Sequence, residues 1–260
     1  MHNKRIWYQS FVDPKEQKNY LTHLQTFLDA YADKGFKFEV YGLTPPDKNL
    51  HPLTEFRCAA QTIQNAIKAQ KEGFDAFVIG HFQEPGINEI KAILDIPVIG
   101  LGEANMLYAC SIGRTIGLAT INPIFIPWHE NQINYYGLER RILSVQAVNA
   151  QVDDFEQAFN NKAVYEKLRN SFLEQIKPMV AEGVEVIILA GGLPMLLLAQ
   201  QKNLTVGGAV IVNGIAVCAK FAEMALKLQE LTGNFISRRA TYAQANSQTI
   251  EEFLKLFCQK

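Results

Sequence analysis

Cysteine is scarce and scattered in this chain. Its four cysteines, Cys58, Cys110, Cys218 and Cys258, form no C-x-x-C pair. That spacing argues against a disulfide framework and against a zinc site, and no metal is expected. Neither sign of charge dominates. With 25 basic and 26 acidic residues the net charge is −1, so no basic face marks the chain for nucleic acid or an anionic membrane. No apolar run approaches the ~20 residues needed to span a bilayer. The opening segment MHNKRIWYQSF lacks the apolar core of a signal peptide, and the expectation is a cytoplasmic protein. The dinucleotide fingerprint G-x-G-x-x-G and the phosphate-loop lysine motif are both missing. No cofactor is expected.

Apolar material is ample. Hydrophobic residues make up 48% of the 260, enough to bury a sizeable core. Short β-rich runs alternate with longer helical patterns, which predicts an α/β fold with mainly parallel sheet. The strand candidates are 5–9, 37–41, 76–80, 97–101, 115–119, 143–147, 184–190 and 208–212. The clearest helical patterns are 16–31, 56–71, 161–182 and 216–231. Residues 72–81, EGFDAFVIGH, read like residues 182–191, EGVEVIILAG. RIWYQSF at Arg5 likewise echoes RTIGLAT at Arg114. Both matches fall at one offset of about 110 residues, the mark of two similar α/β halves. The expected division is 1–113 plus 214–260 for the first half and 114–213 for the second.

In open α/β sheets, ligands bind beyond the carboxyl ends of the strands. The candidate site residues follow from that rule. His81 ends the run VIGHFQEPG, where a helix is predicted to begin near Pro85 or Gly86. Free amides at that start could hold a carboxylate or imide oxygen. A histidine there can act as general acid or base, or it can cap the turn. In the repeat His81 corresponds to Gly191 of ILAGGLPM, and Ser10 to Thr120. Gly191 and Gly192 allow close approach of a ligand or simply a tight turn. Asn122 can hold a substrate or cap a helix. Glu103, Asn213 and Gly214 sit at comparable helix starts, with a structural role expected for Glu103. His51 and His129 lie in stretches that read as irregular and peripheral. Arg238 and Arg239 read as a solvated pair ahead of a surface helix, TIEEFLKLF.

FDAFVIGHFQEPG, DIPVIGLGEANMLYAC, IGLATI, VEVIILAGGLPM and VNGIAVCAKFAEMAL follow one another along nearly the whole chain. In that order they resemble the aspartate/glutamate/hydantoin racemase superfamily, most closely its hydantoin and allantoin racemase branch. The resemblance implies two flavodoxin-like parallel-sheet halves about a pseudo-twofold axis, with the site between them. It also implies a cofactor-independent reaction at a carbon next to a carbonyl, run by two cysteines after the third strand of each half. His81 stands in the first cysteine's place and Gly191 in the second's, so both thiols are missing. The scaffold is therefore expected, but the two-thiol mechanism is not. His81 becomes the candidate acid/base. Gln9, Ser10, Phe82, Gln83, Thr120, Asn122, Gly191, Gly192 and Leu193 become the substrate-binding candidates. The expected partners are a small hydantoin-like or amino-acid-like molecule and further copies of the chain. A single-acid decarboxylase, a lyase or hydrolase, and a non-catalytic binder remain alternatives.

Overall fold

The computed structural model describes residues 3–46 and 50–257; Cys258 lies outside them. The first half runs β1 (Lys4–Gln9), α1 (Lys18–Tyr31), β2 (Phe36–Tyr41), α2 (Pro52–Lys71), β3 (Ala76–Ile79), α3 (Ile87–Ile93), β4 (Val98–Gly100) and α4 (Leu101–Ile112). The second runs β5 (Ile116–Thr120), α5 (Ile126–Tyr136), β6 (Ile142–Ala147), α6 (Val152–Ala158), α7 (Lys162–Gln175), α8 (Lys177–Ala181), β7 (Val186–Leu189), α9 (Gly192–Leu198), β8 (Thr205–Val206) and β9 (Ala209–Ile211). Helix α10 (Gly214–Thr232) and the short α11 (Ser247–Lys255) close the chain.

Strands β3, β5 and β7 are buried along their whole length. Their sequences AFVI, IGLAT and VIIL are continuous apolar runs, as strands covered on both faces require. The sheets order as β2-β1-β3-β4 and β6-β5-β7-β9-β8, the same succession twice with one strand appended. Register repeats with order. Ile6 pairs with Ala76, and 110 residues later Ile116 pairs with Val186. The duplication read from two loose sequence matches is thus written in the backbone pairing.

All eight predicted strands are present, and β8 is additional. Residues 208–212 had suggested a strand beginning at Gly208. Instead Gly207 and Gly208 both adopt positive φ, +55° and +90°, and turn the chain through a two-residue hairpin from Val206 to Ala209. Two consecutive left-handed residues make the primed turn that such hairpins use. The single helix expected over 161–182 is two helices, α7 and α8, with Pro178 in the first turn of the second. Proline has no N–H to continue the earlier ladder.

Helix α10 packs against α4, α9, β3 and β4, so it belongs physically to the seam between the sheets. One apolar cluster spans both halves. A second fills the outer side of the first sheet around Trp7, Phe77 and Ile90, and Ile250, Phe253 and Leu254 of α11 lie on it. Arg238 is not solvated as expected. Its guanidinium donates to the carbonyls of Lys91 and Leu94 and to Asp95 Oδ1, tying the C-terminal segment to α3. Among the described residues, no helix is long and apolar enough to cross a membrane.

Candidate functional site

A cavity of about 860 Å³ opens at the carboxyl ends of the central strands. The first half lines it with Ser10 to Asp13 after β1, with Glu16, Gln17 and Tyr20 of the following turn and helix, and with Gly80, His81 and Gln83 after β3. The second half supplies Ile121 to Pro123 and Phe125 after β5, Ala147 to Asp153 after β6, and Ala190 to Pro194 after β7. Among the described residues, neither a cysteine nor a lysine or arginine lines it.

Of the candidate site residues, His81, Ser10, Gln83, Asn122, Gly191, Gly192 and Leu193 all face this cavity. Gln9, Phe82 and Thr120 are fully buried and do not line it. Gln9 spends its carboxamide on the fold. Its Nε2 donates to the carbonyls of Ser10, Tyr41 and Gly42, while Oε1 accepts from Trp7 Nε1 and Asn65 Nδ2. The Phe82 ring packs edge-on against His129, with centroids 5.2 Å apart. The Thr120 hydroxyl has no hydrogen-bond partner among the described residues. Asn122 caps the 3-10 turn that follows β5, accepting from the Ile124 amide at 3.0 Å.

His81 lies on the wall supplied by the first half. Its ring stacks on Phe11, centroids 4.5 Å apart and planes 19° from parallel. Its Nε2 is buried and lies 3.2 Å from Glu55 Oε1. That is an ion-pair approach, off the line of a hydrogen bond. Glu55 stands in the first turn of α2, which begins with a reciprocal capping box between His51 and Thr54. His51 is therefore a helix cap. Carboxylates are favoured in such first turns by the helix dipole.

The helix predicted near Pro85 does form, but as α3 it begins only at Ile87 and does not line the cavity. The amides of His81, Phe82 and Gln83 precede it and have no acceptor among the described residues. Glu84 then anchors the loop. It adopts positive φ, +55°, a conformation an L-residue holds only when its surroundings compel it. Its buried carboxylate accepts from the Glu103 amide at 2.7 Å, Gln132 Nε2 at 2.8 Å and Tyr136 hydroxyl at 2.6 Å. Gln132 also donates to the Phe82 carbonyl at 2.6 Å. Helix α5 of the second half thus grips the His81 loop of the first. Burial, only partly offset by these donors, pushes the Glu84 carboxyl up to about 7. Gly100 is what lets Glu84 in, because a Cβ there would overlap the carboxylate. Glu103 pairs with Lys91 Nζ at 2.7 Å, the structural role expected of it.

His129 departs from its expectation. It is a fully buried residue of α5, not a peripheral one in an irregular stretch. Its Nδ1 meets Gln132 Oε1 at 3.5 Å, and burial drives its pKa down to about 4. Cys218 is buried with its thiol pKa pushed upward by desolvation, which suppresses the thiolate a base would need.

The position equivalent to His81 on the opposite wall is bare. Gly191 has φ 165° and ψ 145°, extended backbone that any residue adopts. A Cβ there would meet Pro194 Cδ at 3.4 Å, an ordinary contact. Gly192 is different, because a Cβ would press on the Tyr20 hydroxyl at 2.5 Å. Tyr20 is held by an interlock between the halves. Helix α1 has no side-chain cap of its own. Glu156 of α6 supplies one, accepting from the amides of Asn19 and Tyr20 at 3.0 and 3.1 Å. Sequence reasoning missed Phe11, Tyr20, Glu55, Glu84 and Gln132. Only Glu84 carried a signal, sitting between His81 and a Pro-Gly pair.

The sequence model of the Asp/Glu/hydantoin racemase family matches residues 21–222. A hydantoin racemase from Pseudomonas sp. (strain NS671) is 27% identical over 179 residues, 68% of this chain and 69% of that protein. One from Rhizobium meliloti is 29% identical over 178 residues, 68% of each. Among solved structures, an allantoin racemase from Klebsiella pneumoniae superposes with TM-score 0.77 at 20% identity, covering 94% of both chains. Another from Pseudomonas fluorescens gives 0.76 at 23% identity, covering 93% of this chain and 97% of that one. With two matching parallel-sheet halves and a family match across most of its length, the chain is a member of the Asp/Glu/hydantoin racemase family of enzymes.

Proposed function

We propose that the chain is a cofactor-independent isomerase acting at the carbon next to a carbonyl of a small hydantoin-like or amino-acid-like molecule. His81 is its acid/base. The observation that carries this reading is the placement of His81, a titratable group facing the cavity at the end of β3. The relatives named hydantoin racemase support a cyclic-amide substrate. The lining adds to this, since without a cation among the described residues it favours an uncharged ring over a dicarboxylate. His81 takes the proton, the electron pair spreads into the carbonyl as an enolate, and the amides of Gln83, Gly192 and Leu193, which face the cavity, hold its oxygen. Ser10, Asn122 and the loop after β7 bound the substrate. Gln9 and Thr120 act from behind the wall.

One observation favours a second reading. Gly191 leaves no acid/base at the position equivalent to His81, which suits a one-face protonation such as decarboxylation better than racemisation.

We also place the domain division at 113/114 and 213/214, and we propose a homo-oligomer. Leu107 and Ile112 on α4 and Leu228 and Leu231 on α10 are exposed and support the latter. The function is tested by screening hydantoins, allantoin and small carbonyl acids for deuterium uptake at the α-carbon, ring opening and CO₂ release. Turnover lost in His81→Ala supports it; turnover unchanged in that variant refutes the acid/base role.

A further inference from the structure

Position 81 has two ring nitrogens, and the fold treats them differently. Nε2 is turned inward and buried beside Glu55. Nδ1 has no hydrogen bond to any described residue and is not among the buried unpartnered atoms. It is the nitrogen left to the cavity that His81 lines. Phe11 stacks on one ring face and limits rotation. Three elements therefore set this imidazole: the loop after β1, the loop after β3 and the first turn of α2.

We propose that Glu55 is the positioning partner of His81. Its carboxylate accepts the Nε2 proton and so leaves Nδ1 as the atom that exchanges protons with substrate. The proposal rests on the acid/base role given above to His81. The consequence is chemical. A neutral imidazole carries one N–H and one lone pair, and the partner of one nitrogen decides which nitrogen is basic. When Nδ1 takes a proton from a substrate C–H bond, the electron pair stays on the substrate as an enolate and the ring becomes an imidazolium. A carboxylate 3.2 Å away from the other nitrogen stabilises that cation. The reverse transfer returns the proton and restores the neutral ring. Glu55 touches no substrate in this scheme; with 16% side-chain exposure it acts through His81. At 3.2 Å the two atoms stand within hydrogen-bond distance, and alignment of the N–H on the carboxylate completes the bond.

The test does not need the substrate. ¹⁵N-labelled histidine in the whole protein, observed by NMR in the alkaline range where imidazole is neutral, reports the tautomer of His81 directly. The wild type is expected as the Nε2–H form, with Glu55→Gln retaining it, because the amide oxygen still accepts. Glu55→Leu is expected to lose that preference. An Nδ1–H tautomer in the wild type, or an unchanged preference in a folded Glu55→Leu, overturns the assignment. Once a probe such as a 5-monosubstituted hydantoin shows turnover, Glu55→Gln should lower kcat about a hundredfold with KM unchanged. A fall in both, or in neither, contradicts positioning. If no probe turns over while the tautomer behaves as described, the catalytic reading fails and the dyad geometry stands.

Discussion

The loops after β3 and β7 stand at equivalent points of one repeat, yet they are built differently. After β3 the chain carries a titratable ring, a backing carboxylate and a strained, buried Glu84 that fastens the loop to α5. After β7 it carries two glycines, and α9 begins at once. The difference is not imposed by space, since Gly191 can accept a side chain while Gly80 cannot. At 80, a Cβ would strike the Tyr8 ring. The duplication thus preserved the frame of the site, and the two halves specialised. On the proposed reading the first supplies the acid/base, and the second a glycine loop that lets substrate lie close.

The sharpest way to break this comparison is to remove the polar side. His81→Ala should lower turnover by roughly 10²–10⁴-fold, the range for a lost general acid/base, while a bound hydantoin still raises the melting temperature. The converse is to build up the bare side. Gly191→Cys should fold normally and should add proton exchange at the second face of the substrate, read as loss of stereospecificity in deuterium labelling.

Next in size is the anchor. Gly100→Ala forces a methyl group onto Glu84 and should cost about 2–3 kcal/mol, measured by urea unfolding; Gly191→Ala, by contrast, should cost well under 1 kcal/mol.

The smallest effect concerns pH. Glu84 has a folded pKa raised to about 7, so the stability it contributes is full below the ordinary glutamate range and is lost as pH rises through about 7. His129 has a folded pKa lowered to about 4. Its contribution is full above the ordinary histidine value and is lost as pH falls through about 4. The two slopes oppose each other between about pH 4.5 and 6.5, and the wild type should be nearly flat there. Glu84→Gln should leave stability rising with pH across that window, and His129→Gln should leave it falling.

Much of the frame was legible in the sequence because it rests on local rules. Buried strands read as apolar runs, and an approximate repeat at one offset located both strand-end loops. The elements misread were those decided by a detail of backbone chemistry: the paired glycines that make β8 turn into β9, and Pro178 splitting one helical pattern. The candidate site was legible where the cavity is lined by strand-end loops, as with His81, Ser10, Asn122 and Gly191. It was not where tertiary contact assigns the role. Glu55 meets His81 only because α2 lies along β3. His129 looked peripheral because its neighbours in sequence are mixed, and it is buried because α5 closes over Phe82. Gln9 looked like a binding residue until three backbone carbonyls claimed its amide.

On the proposed reading, one histidine facing a glycine loop moves the substrate's proton. The direct measurement is deuterium incorporation from D₂O at the α-carbon of each enantiomer of a 5-monosubstituted hydantoin, in wild type and in His81→Ala. Enzyme-dependent exchange is expected in the wild type, and its disappearance in His81→Ala. No enzyme-dependent exchange in the wild type, or exchange surviving at the wild-type rate without His81, would contradict the role of His81.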